Sequence, residues 1–514
     1  MSRPLGWFVR ALAEARTRRL DALDFQRRQE RLLMGLLRAA AGTRFGRAHG
    51  FGSVRTLADF RQAVPLRTYE DCWREYWSPA FPVLENVSWP GRIPFFALTS
   101  GTATGRTKYI PLSTQMLRAN RRASVDVLAF HFRARPGSRI LGGRTLMLGG
   151  STALSELAPG VRSGDLSGIV AATAPRWVRP LLLPKRDLAL LENWEEKLER
   201  IARLCLDQDI RVLTGTPSWL LILIDRILAL RAQRGDPRPA FPQLELLIHG
   251  GVNFAPYRRR FEELLAASNP DVREVYPASE GFFAAADRGF GAGLRLNLEH
   301  GVFFEFVPVE ELGGATPTRH WVGDAEPGVN YALAVSTCAG LWSYLVGDTV
   351  RLVTRQPARV LITGRTSYSI SAFGEHLIGE EIECAVSAAA AQIGADVTDY
   401  AVGALFPGPA DPRGRHIYYV EFEVQVTGER LAGFARLLDQ ELCSRNDDYR
   451  AHRSGAFAVQ APRVVALMPG AFAAWMRAQG RLGGQHKVPR VINDGDLLSS
   501  LDRFSAQHRA DATG

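Results

Sequence analysis

The feature that most constrains the fold is the alternation of short β-branched runs with longer helical patterns in the middle of the chain. A helix is expected to begin at Pro217, with Thr216 as its cap, and another near Pro256, because proline is favoured in the first helical turn. This order is typical of a βαβ series in an α/β fold with largely parallel sheets. The carboxyl ends of such strands share one crevice, where ligands usually bind. The predicted strands are Ile210–Leu213, Leu244–His249 and Val272–Tyr276.

A second pattern begins after Gly364-Arg365 and predicts a smaller α+β domain of about 140 residues. A chain of 514 residues is too long for one core and fits two or three domains. The predicted elements of the second domain are helices at about Gly379–Ile393 and Arg430–Cys443 and strands at Tyr400–Leu405 and Ile417–Val426.

The N-terminal segment Met1–Ala41 is arginine-rich and amphipathic, and it also carries acidic residues such as Glu14 and Asp21. A transit peptide would avoid those acids, so we expect an N-terminal helix that packs on the body of the protein. The most apolar run, Trp219–Leu230, is interrupted by Asp225 and is too short to span a bilayer.

Charge and cysteine content narrow the class of protein. The net charge of +10 is spread along the chain without a basic block, so a nucleic-acid-binding module is not supported, although a cationic mouth for an anionic substrate stays open. The 5 cysteines show no close pair and no zinc spacing. A reducing cytoplasm is the expected compartment.

Lysine is rare in this chain: Lys108, Lys185, Lys197 and Lys487 are the lysines among 63 basic residues. An ammonium and a guanidinium differ chemically, so a position that keeps lysine is of interest. Lys185 and Lys197 have charged neighbours and are expected to be solvated. Lys108 and Lys487 lie in glycine-rich motifs and are the functional candidates.

The strongest local motif is Thr99–Lys108, which reads TSGTATGRTK between the apolar runs Ile93–Leu98 and Tyr109–Leu112. Glycines leave backbone N–H groups free to face an anion, and hydroxyls add donors, so a triphosphate is the natural ligand. The spacing of a Walker A loop is absent, and the flanks predict strand-loop-strand rather than strand-loop-helix. A plain glycine-rich hairpin is the structural alternative.

Two acidic motifs follow at strand ends. In Tyr276–Gly281 (YPASEG), the tyrosine can pack on a purine and the glutamate can hold Mg²⁺. In Tyr344–Asp348 (YLVGD), placed just before a strand predicted at Thr349–Val353, the aspartate can accept bonds from two ribose hydroxyls. Taken singly, each is better explained by an ordinary turn with a solvated carboxylate. A further glycine-rich loop, Gly483–Arg490, carries Lys487 near the C-terminus.

Together these motifs, in this order, resemble the adenylate-forming superfamily and, more closely, the auxin-responsive family of acyl-acid amido synthetases. Three positions depart from the family pattern: Pro277, His376 and His486. Of these, His376 stands where many members have a lysine. This difference leaves open the alternative that the protein binds ATP but is an inactive member of the family. The residues that carry the resemblance are Thr99–Lys108, Gly215–Trp219, Tyr276–Gly281, Tyr344–Asp348, Gly364-Arg365 and Gln485–Arg490.

The resemblance implies a large N-terminal α/β domain of adenylate-forming type, residues 1–365, and a smaller mobile C-terminal α+β domain, residues 366–514. It also implies an ATP-dependent ligase that joins an acid to AMP and then transfers the acyl group to an amine, in most members an amino acid. An acyl-CoA or carrier-protein ligase that shares the first step is the alternative. The expected cofactors are ATP and Mg²⁺, and the expected protein is a monomer without a membrane span.

The resemblance also assigns roles to residues. Lys487 would bridge the carboxylate and the α-phosphate, Ser279 would lie beside that phosphate, and Glu280 would hold Mg²⁺. The acid pocket is expected near Trp219, His249, Gly251 and Val252, although His249 could equally be a satisfied strand-end histidine and Trp219 is expected in the core. The residues expected to bind ATP are Thr99, Ser100, Gly101, Thr102, Thr104, Gly105, Lys108, Tyr276, Asp348 and Arg365.

Overall fold

A computed structural model describes residues 3–100, 107–149, 154–176, 178–189, 191, 194–251, 254–366, 377, 379–405, 414–446, 449–450, 453, 459–479, 488–492 and 494–509. Within these ranges the helices are α1 (Arg3–Asp21), α2 (Phe25–Ala40), α3 (Arg44–Ala48), α4 (Leu57–Ala63), α5 (Tyr69–Cys72), α6 (Thr114–Ala134), α7 (Leu166–Ala172), α8 (Arg186–Ala189), α9 (Trp194–Cys205), α10 (Pro217–Gln233), α11 (Ala255–Leu264), α12 (Gly379–Gln392), α13 (Gly428–Arg445), α14 (Ala471–Ala478) and α15 (Gly495–Ser505).

The strands are β1 (Phe95–Ser100), β2 (Thr107–Leu112), β3 (Arg144–Leu148), β4 (Ser155–Ala158), β5 (Val161–Gly164), β6 (Leu182–Leu183), β7 (Ile210–Gly215), β8 (Leu246–Gly250), β9 (Asp271–Ala278), β10 (Gly281–Ala285), β11 (Leu294–Leu296), β12 (Val302–Pro308), β13 (His320–Trp321), β14 (Asn330–Thr337), β15 (Tyr344–Arg355), β16 (Ala358–Arg365), β17 (Val397–Leu405), β18 (Arg415–Phe422), β19 (Gln460–Leu467) and β20 (Val491–Ile492).

The described chain falls into two compact units. The first contains the residues up to Thr99 together with Thr107–Val346 and Val350–Ile362, and the second contains Gly347–Thr349 and the residues from Thr363 onward. This mixed α/β architecture, a large N-terminal unit and a smaller C-terminal one, is the fold class that the motifs predicted.

The first unit is built on a sheet whose order is β13-β12-β14-β15-β16-β11-β10-β9-β8-β7-β3-β6. Strands β3, β7, β8 and β9 pair in parallel, so the βαβ series predicted from the sequence is confirmed. Between β9 and β16 the ladders β9–β10, β10–β11 and β11–β16 are antiparallel. A crossover helix after each parallel strand requires the sheet to be covered on both faces.

Helices cover both faces of this parallel block. On one face, Ile248 and Val275 pack with Val127 and Phe130 of α6, and α1 lies along α6. On the other face, Leu213 and the buried side chains of α9, α10 and α11 form a separate apolar cluster. The two faces of β8 and β9 therefore meet different environments.

Several predicted boundaries shift by a few residues. Helix α10 begins at Pro217 with Thr216 at its N-cap position, as expected, although the side chain of Thr216 makes no capping hydrogen bond. The N-terminal segment forms two helices rather than one, because Asp24 accepts a bond from the Arg27 backbone N–H and caps α2. Strand β15 starts at Tyr344, so Asp348 lies inside the strand rather than before it.

A smaller sheet in the first unit, ordered β2-β1-β5-β4, contains the strands that flank the glycine-rich motif. The strand-loop-strand arrangement predicted around Thr99–Lys108 is confirmed for the described residues on either side of it. Strand β1 pairs in parallel with β5, with Ala97 opposite Gly164.

The second unit has a sheet of order β19-β18-β17-β20. Strands β17 and β18 are antiparallel, whereas β19 and β20 join at the edges in parallel. Helices α12 and α13 contribute Val386 and Phe434 to the apolar cluster on one face, and α14 and α15 contribute Trp475 and Leu501 to the other. The predicted α+β pattern is confirmed.

Two features bear on the class of protein. All 5 cysteines are free thiols. Among the described residues, none of the helices combines the length and apolar character needed to cross a bilayer.

Candidate active site

The turn between β9 and β10 places the YPASEG motif at the end of the last parallel strand. Ala278 pairs with Gly281, so Ser279 and Glu280 form a two-residue connection. A β-carbon on Gly281 would lie 3.2 Å from both Phe283 Cε1 and Val302 Cγ2, so the side chains around this glycine are closely packed. The strand-end position predicted for this motif is confirmed.

Glu280 is largely withdrawn from water, at 7% exposure. Burial, and then the nearby charge of Glu280, raise the pKa of the Tyr344 hydroxyl well above its usual value. Tyr344 itself is 2% exposed. A carboxylate in such surroundings interacts with a cation more strongly than one in bulk water.

Tyr276, expected beside the adenine, is 6% exposed and packs edge-on against Phe283 at 5.2 Å between ring centroids. Both rings belong to the main apolar cluster of the first unit. The adenine-binding role of Tyr276 stays a prediction.

Lys108 lies at the start of β2 with defined partners. Its Nζ is 3.3 Å from Glu70 Oε1 and 5.0 Å from the centroid of the Tyr69 ring. The Tyr69 hydroxyl accepts a hydrogen bond from the Tyr109 backbone N–H at 2.9 Å, and burial raises its pKa to about 12. The backbone of Tyr109 thus holds in place the Tyr69 ring, over which the Lys108 ammonium lies.

In the second unit, Asp348 and Arg365 are brought together. Arg365 Nε donates to Asp348 Oδ1 at 2.8 Å, and Asp348 is 8% exposed. Thr366 donates from its backbone N–H to the Gly347 carbonyl at 2.9 Å, which ties the end of β16 to the YLVGD motif. Two residues singled out from separate motifs are therefore direct partners.

Other candidates lie outside the described residues. Thr99 is described as the penultimate residue of β1, and Ser100 only as its last backbone position. The candidates that lie outside the described residues are Gly101, Thr102, Thr104, Gly105, Val252, His376, His486 and Lys487.

His249 lies near the carboxyl end of β8 and is 1% exposed. Its ring stacks on Phe254 with 3.8 Å between centroids and an 18° interplanar angle. Burial lowers its pKa to about 3, so the imidazole is neutral at pH 7. No described residue forms a hydrogen bond with its Nδ1 atom, so the alternative of a fully satisfied strand-end histidine does not hold for that nitrogen.

Glu274 of β9 is a neighbour of His249 that the sequence did not single out. The parallel register pairs His249 with Glu274 and Gly215 with His249, so the three residues form one row across β7, β8 and β9. Burial raises the pKa of the Glu274 carboxyl to about 7. The signal that could have found it is its position two residues before Tyr276, on the same face of the strand.

The other pocket candidates differ in character. Trp219 on α10 is partly buried against the apolar cluster of that face, in keeping with a role in the core. Gly251, directly after β8, has a φ of 84°, a backbone conformation that glycine adopts without strain.

The prediction that Lys197 is solvated was wrong. This lysine is 3% exposed rather than solvated, its Nζ donates to the Ala189 carbonyl at 2.9 Å, and burial lowers its pKa. The charged neighbours in sequence point away from the buried face of α9, so local composition was misleading.

Within the described part of the chain, no group of three or more His, Cys, Asp or Glu side chains is arranged to hold a metal ion.

Comparison with protein families gives three matches in chain order. The GH3 family N-terminal domain matches residues 20–175 and 160–269, the GH3 family central domain matches 296–365, and the GH3 family C-terminal domain matches 380–496.

Among curated proteins, the chain is similar to indole-3-acetic acid-amido synthetase GH3.8 of Oryza sativa subsp. indica, with 26% identity over 220 residues. The match covers 39% of this chain and 35% of that protein, so the chain spans about a third of the length of the curated relative.

Among solved structures, AtGH3.15 acyl acid amido synthetase in complex with 2,4-DB matches with a TM-score of 0.77 and 17% identity, covering 96% of both chains. The 2-hydroxyisobutyryl-CoA ligase in the postadenylation state matches with a TM-score of 0.60 and 14% identity, covering 93% of this chain and 91% of that one. At these identities the likeness concerns the fold.

Proposed function

The chain belongs to the GH3 family, and we propose that it is an ATP-dependent acyl acid amido synthetase. It would adenylate a carboxylic acid, transfer the acyl group to an amine, in the simplest case an amino acid, and release AMP and pyrophosphate. The observation that carries the proposal is the ordered match of the family's N-terminal, central and C-terminal domains along one chain. The curated relatives that the chain matches over part of their length are named as an amido synthetase and a probable amido synthetase.

The proposed reaction has two balanced steps. A carboxylate oxygen attacks the α-phosphorus of ATP, the bond to the β-phosphate oxygen breaks, and pyrophosphate leaves. The nitrogen of a neutral amine then attacks the acyl carbon of the adenylate, AMP leaves with the electrons of the C–O bond, and the nitrogen loses a proton. The barrier of the first step includes bringing two anions together, so fixed positive charge is the main requirement.

The proposed roles follow the charges. Lys487 would bridge the carboxylate and the α-phosphate, with Ser279 beside that phosphate. Asp348, oriented by its 2.8 Å bond from Arg365, would accept the ribose hydroxyls. The loop Thr99–Lys108 would hold the β- and γ-phosphates through backbone N–H groups and hydroxyls.

A magnesium ion fits the chemistry of Glu280. Glu280 offers a carboxylate at 7% exposure, and Mg²⁺ is usually held by one or two carboxylates together with substrate phosphates. When bound, the ion would neutralise negative charge on the phosphate oxygens.

The proposal includes a division into a large domain, residues 1–365, and a small domain, residues 366–514, that brings Lys487. It also includes a cytoplasmic location, which suits 5 free thiols. Acid binding is proposed near Trp219, His249, Gly251 and Val252, at the carboxyl ends of β7 and β8.

The test is ATP–pyrophosphate exchange over a panel of carboxylic acids. We expect exchange with at least one acid, and we expect Lys487→Ala to lower its rate by about 100-fold or more, because one preorganised charge at the reacting centre contributes that much. Lys185→Ala is the matched control, since this exposed lysine donates only to the backbone carbonyls of Arg179 and Pro180 among the described residues.

Exchange at the normal rate in Lys487→Ala would remove that assignment, and no exchange with any acid would contradict the proposed function. The acceptor is then decided by mass spectrometry of the product formed with amino acids or with coenzyme A. A thioester and no amide would establish the acyl-CoA ligase alternative.

A further inference from the structure

The edge of the parallel sheet at β8 and β9 holds two polar side chains that the fold does not use. Among the described residues, nothing forms a hydrogen bond with the buried Nδ1 atom of His249, and the register partner of His249 on the next strand is the half-buried carboxylate of Glu274. Buried polar groups are nearly always paired, so an unpaired buried nitrogen beside a half-buried carboxylate in the adjacent register position calls for an explanation.

Their geometry directs both groups to the same face. Partners in a parallel ladder point to the same side of the sheet, and the ladder pairs His249 with Glu274. On that side the imidazole stacks on Phe254, within the apolar cluster of α9, α10 and α11. The backbones are close here, because a β-carbon on Gly250 would collide with the Val275 carbonyl oxygen.

The chemistry of the pair defines what it can receive. A neutral imidazole has one N–H donor and one nitrogen acceptor, and Glu274, whose pKa burial raises to about 7, only accepts once it is ionised above that pH. A ligand group with N–H or O–H bonds can donate to Glu274 and complete the bonding of His249. A methyl group of the same size would leave both unpaired, which costs binding free energy.

We propose that His249 and Glu274 form a specificity subsite for an amino, hydroxyl or ring N–H group on the acid substrate. This rests on the proposed function, and it narrows the substrate class to carboxylic acids whose apolar or aromatic body carries such a donor. The acid is favoured over the acceptor amine because the surroundings of the pair are aromatic and aliphatic, which suits the body of an aryl or alkyl acid.

The test uses the full chain and matched acids: benzoate, phenylacetate and 3-phenylpropanoate, each with a para-amino, para-hydroxy or para-methyl group. In ATP–pyrophosphate exchange at pH 8, where Glu274 is ionised, we expect kcat/KM for the donor-bearing acid to exceed that of its methyl counterpart by at least 10-fold. Glu274→Gln and His249→Phe should each reduce this ratio by about 10-fold, the usual size of one buried hydrogen bond. Glu263→Gln, on the exposed side of α11 and 3.0 Å from Arg259, is the matched control.

A ratio near 1 in the wild type, or an unchanged ratio in both variants, would overturn the subsite. If the Glu274→Gln and His249→Phe variants lose only the rate of amide formation, while ATP–pyrophosphate exchange is unchanged, the assignment of the subsite to the acid substrate would be overturned. Calorimetric binding of the same acids separates the two proposals: if no acid supports exchange, the proposed function fails, while the binding preference for donors and its loss in Glu274→Gln still decide the subsite. Thermal unfolding of each variant verifies that it is folded.

Discussion

Strand β9 carries two carboxylates three residues apart, and each has a buried histidine beside it. Asp271, at the amino end, accepts hydrogen bonds from His131 Nδ1 and Arg273 Nε, both at 2.8 Å. The second nitrogen of His131 lies 2.8 Å from Ser138 Oγ, so both ring nitrogens have partners. Glu274, nearer the carboxyl end and on the opposite face, has no such partner among the described residues, and neither does Nδ1 of its neighbour His249.

The pKa values of the two carboxyl groups are therefore shifted in opposite directions. Burial alone would raise the pKa of Asp271, but the hydrogen bond from His131 and the charge of Arg273 hold it below its usual value. Burial raises the pKa of Glu274 to about 7 without opposition. A buried carboxylate with partners stabilises the fold, whereas one without them costs stability and is kept where a ligand can complete it.

The largest expected effect is on the free energy of unfolding, when the hydrogen-bonded pair of Asp271 and His131 is broken. Asp271→Ala should lower the free energy of unfolding by about 3 kcal/mol, because it leaves His131 and Arg273 buried without their acceptor. Urea unfolding followed by circular dichroism measures this. Val272→Ala is the control, since that neighbouring side chain is 37% exposed, and it should cost well under 1 kcal/mol. A loss below 1 kcal/mol in Asp271→Ala would erase the contrast between the pairs.

The next effect concerns acid stability. The pKa of His249 is about 3 in the folded state and near 6.5 in the unfolded chain. Below pH 6.5 His249 is therefore protonated in the unfolded chain but stays neutral in the folded protein. Stability is thus lost as pH falls from 6.5 toward 3, by up to about 2 kcal/mol at pH 5. His249→Gln should lose correspondingly less between pH 7.5 and 5 in urea unfolding. Equal losses in variant and wild type would mean that His249 is protonated in the fold.

The smallest effect is a gain. Below pH 4.5 Glu274 is protonated in both states, and as pH rises toward 7 the unfolded chain releases a proton that the folded chain keeps, so stability falls. Linkage alone would allow about 3 kcal/mol, and solvent screening of this half-buried carboxylate reduces it, so Glu274→Gln should be about 1 kcal/mol more stable than the wild type at pH 8 and equal to it at pH 4.5. Glu262→Gln, on the exposed Arg258–Glu262 pair of α11, controls for charge removal. A destabilised Glu274→Gln at pH 8 would show that this carboxylate has a structural role.

The parallel core could be predicted because its signals are local. Each of the strands Ile210–Gly215, Leu246–Gly250 and Asp271–Ala278 was located to within about two residues, since apolar runs and the residues that end them lie next to each other in sequence. The strand-end position of Ser279 and Glu280 followed from the same signals. The burial of Lys197 did not, because it depends on the orientation of α9 against its neighbours.

The sequence by itself determined the parallel βαβ series, the main elements of the second domain, the turn that carries Glu280 and the family to which the motifs belong. Only the tertiary structure decided which of the two β9 carboxylates finds a partner. Asp271 meets His131, 140 positions away on α6, whereas Glu274 meets His249 through a strand register. Both arrangements are set when distant segments pack, and local periodicity carries no information about pairings over that separation.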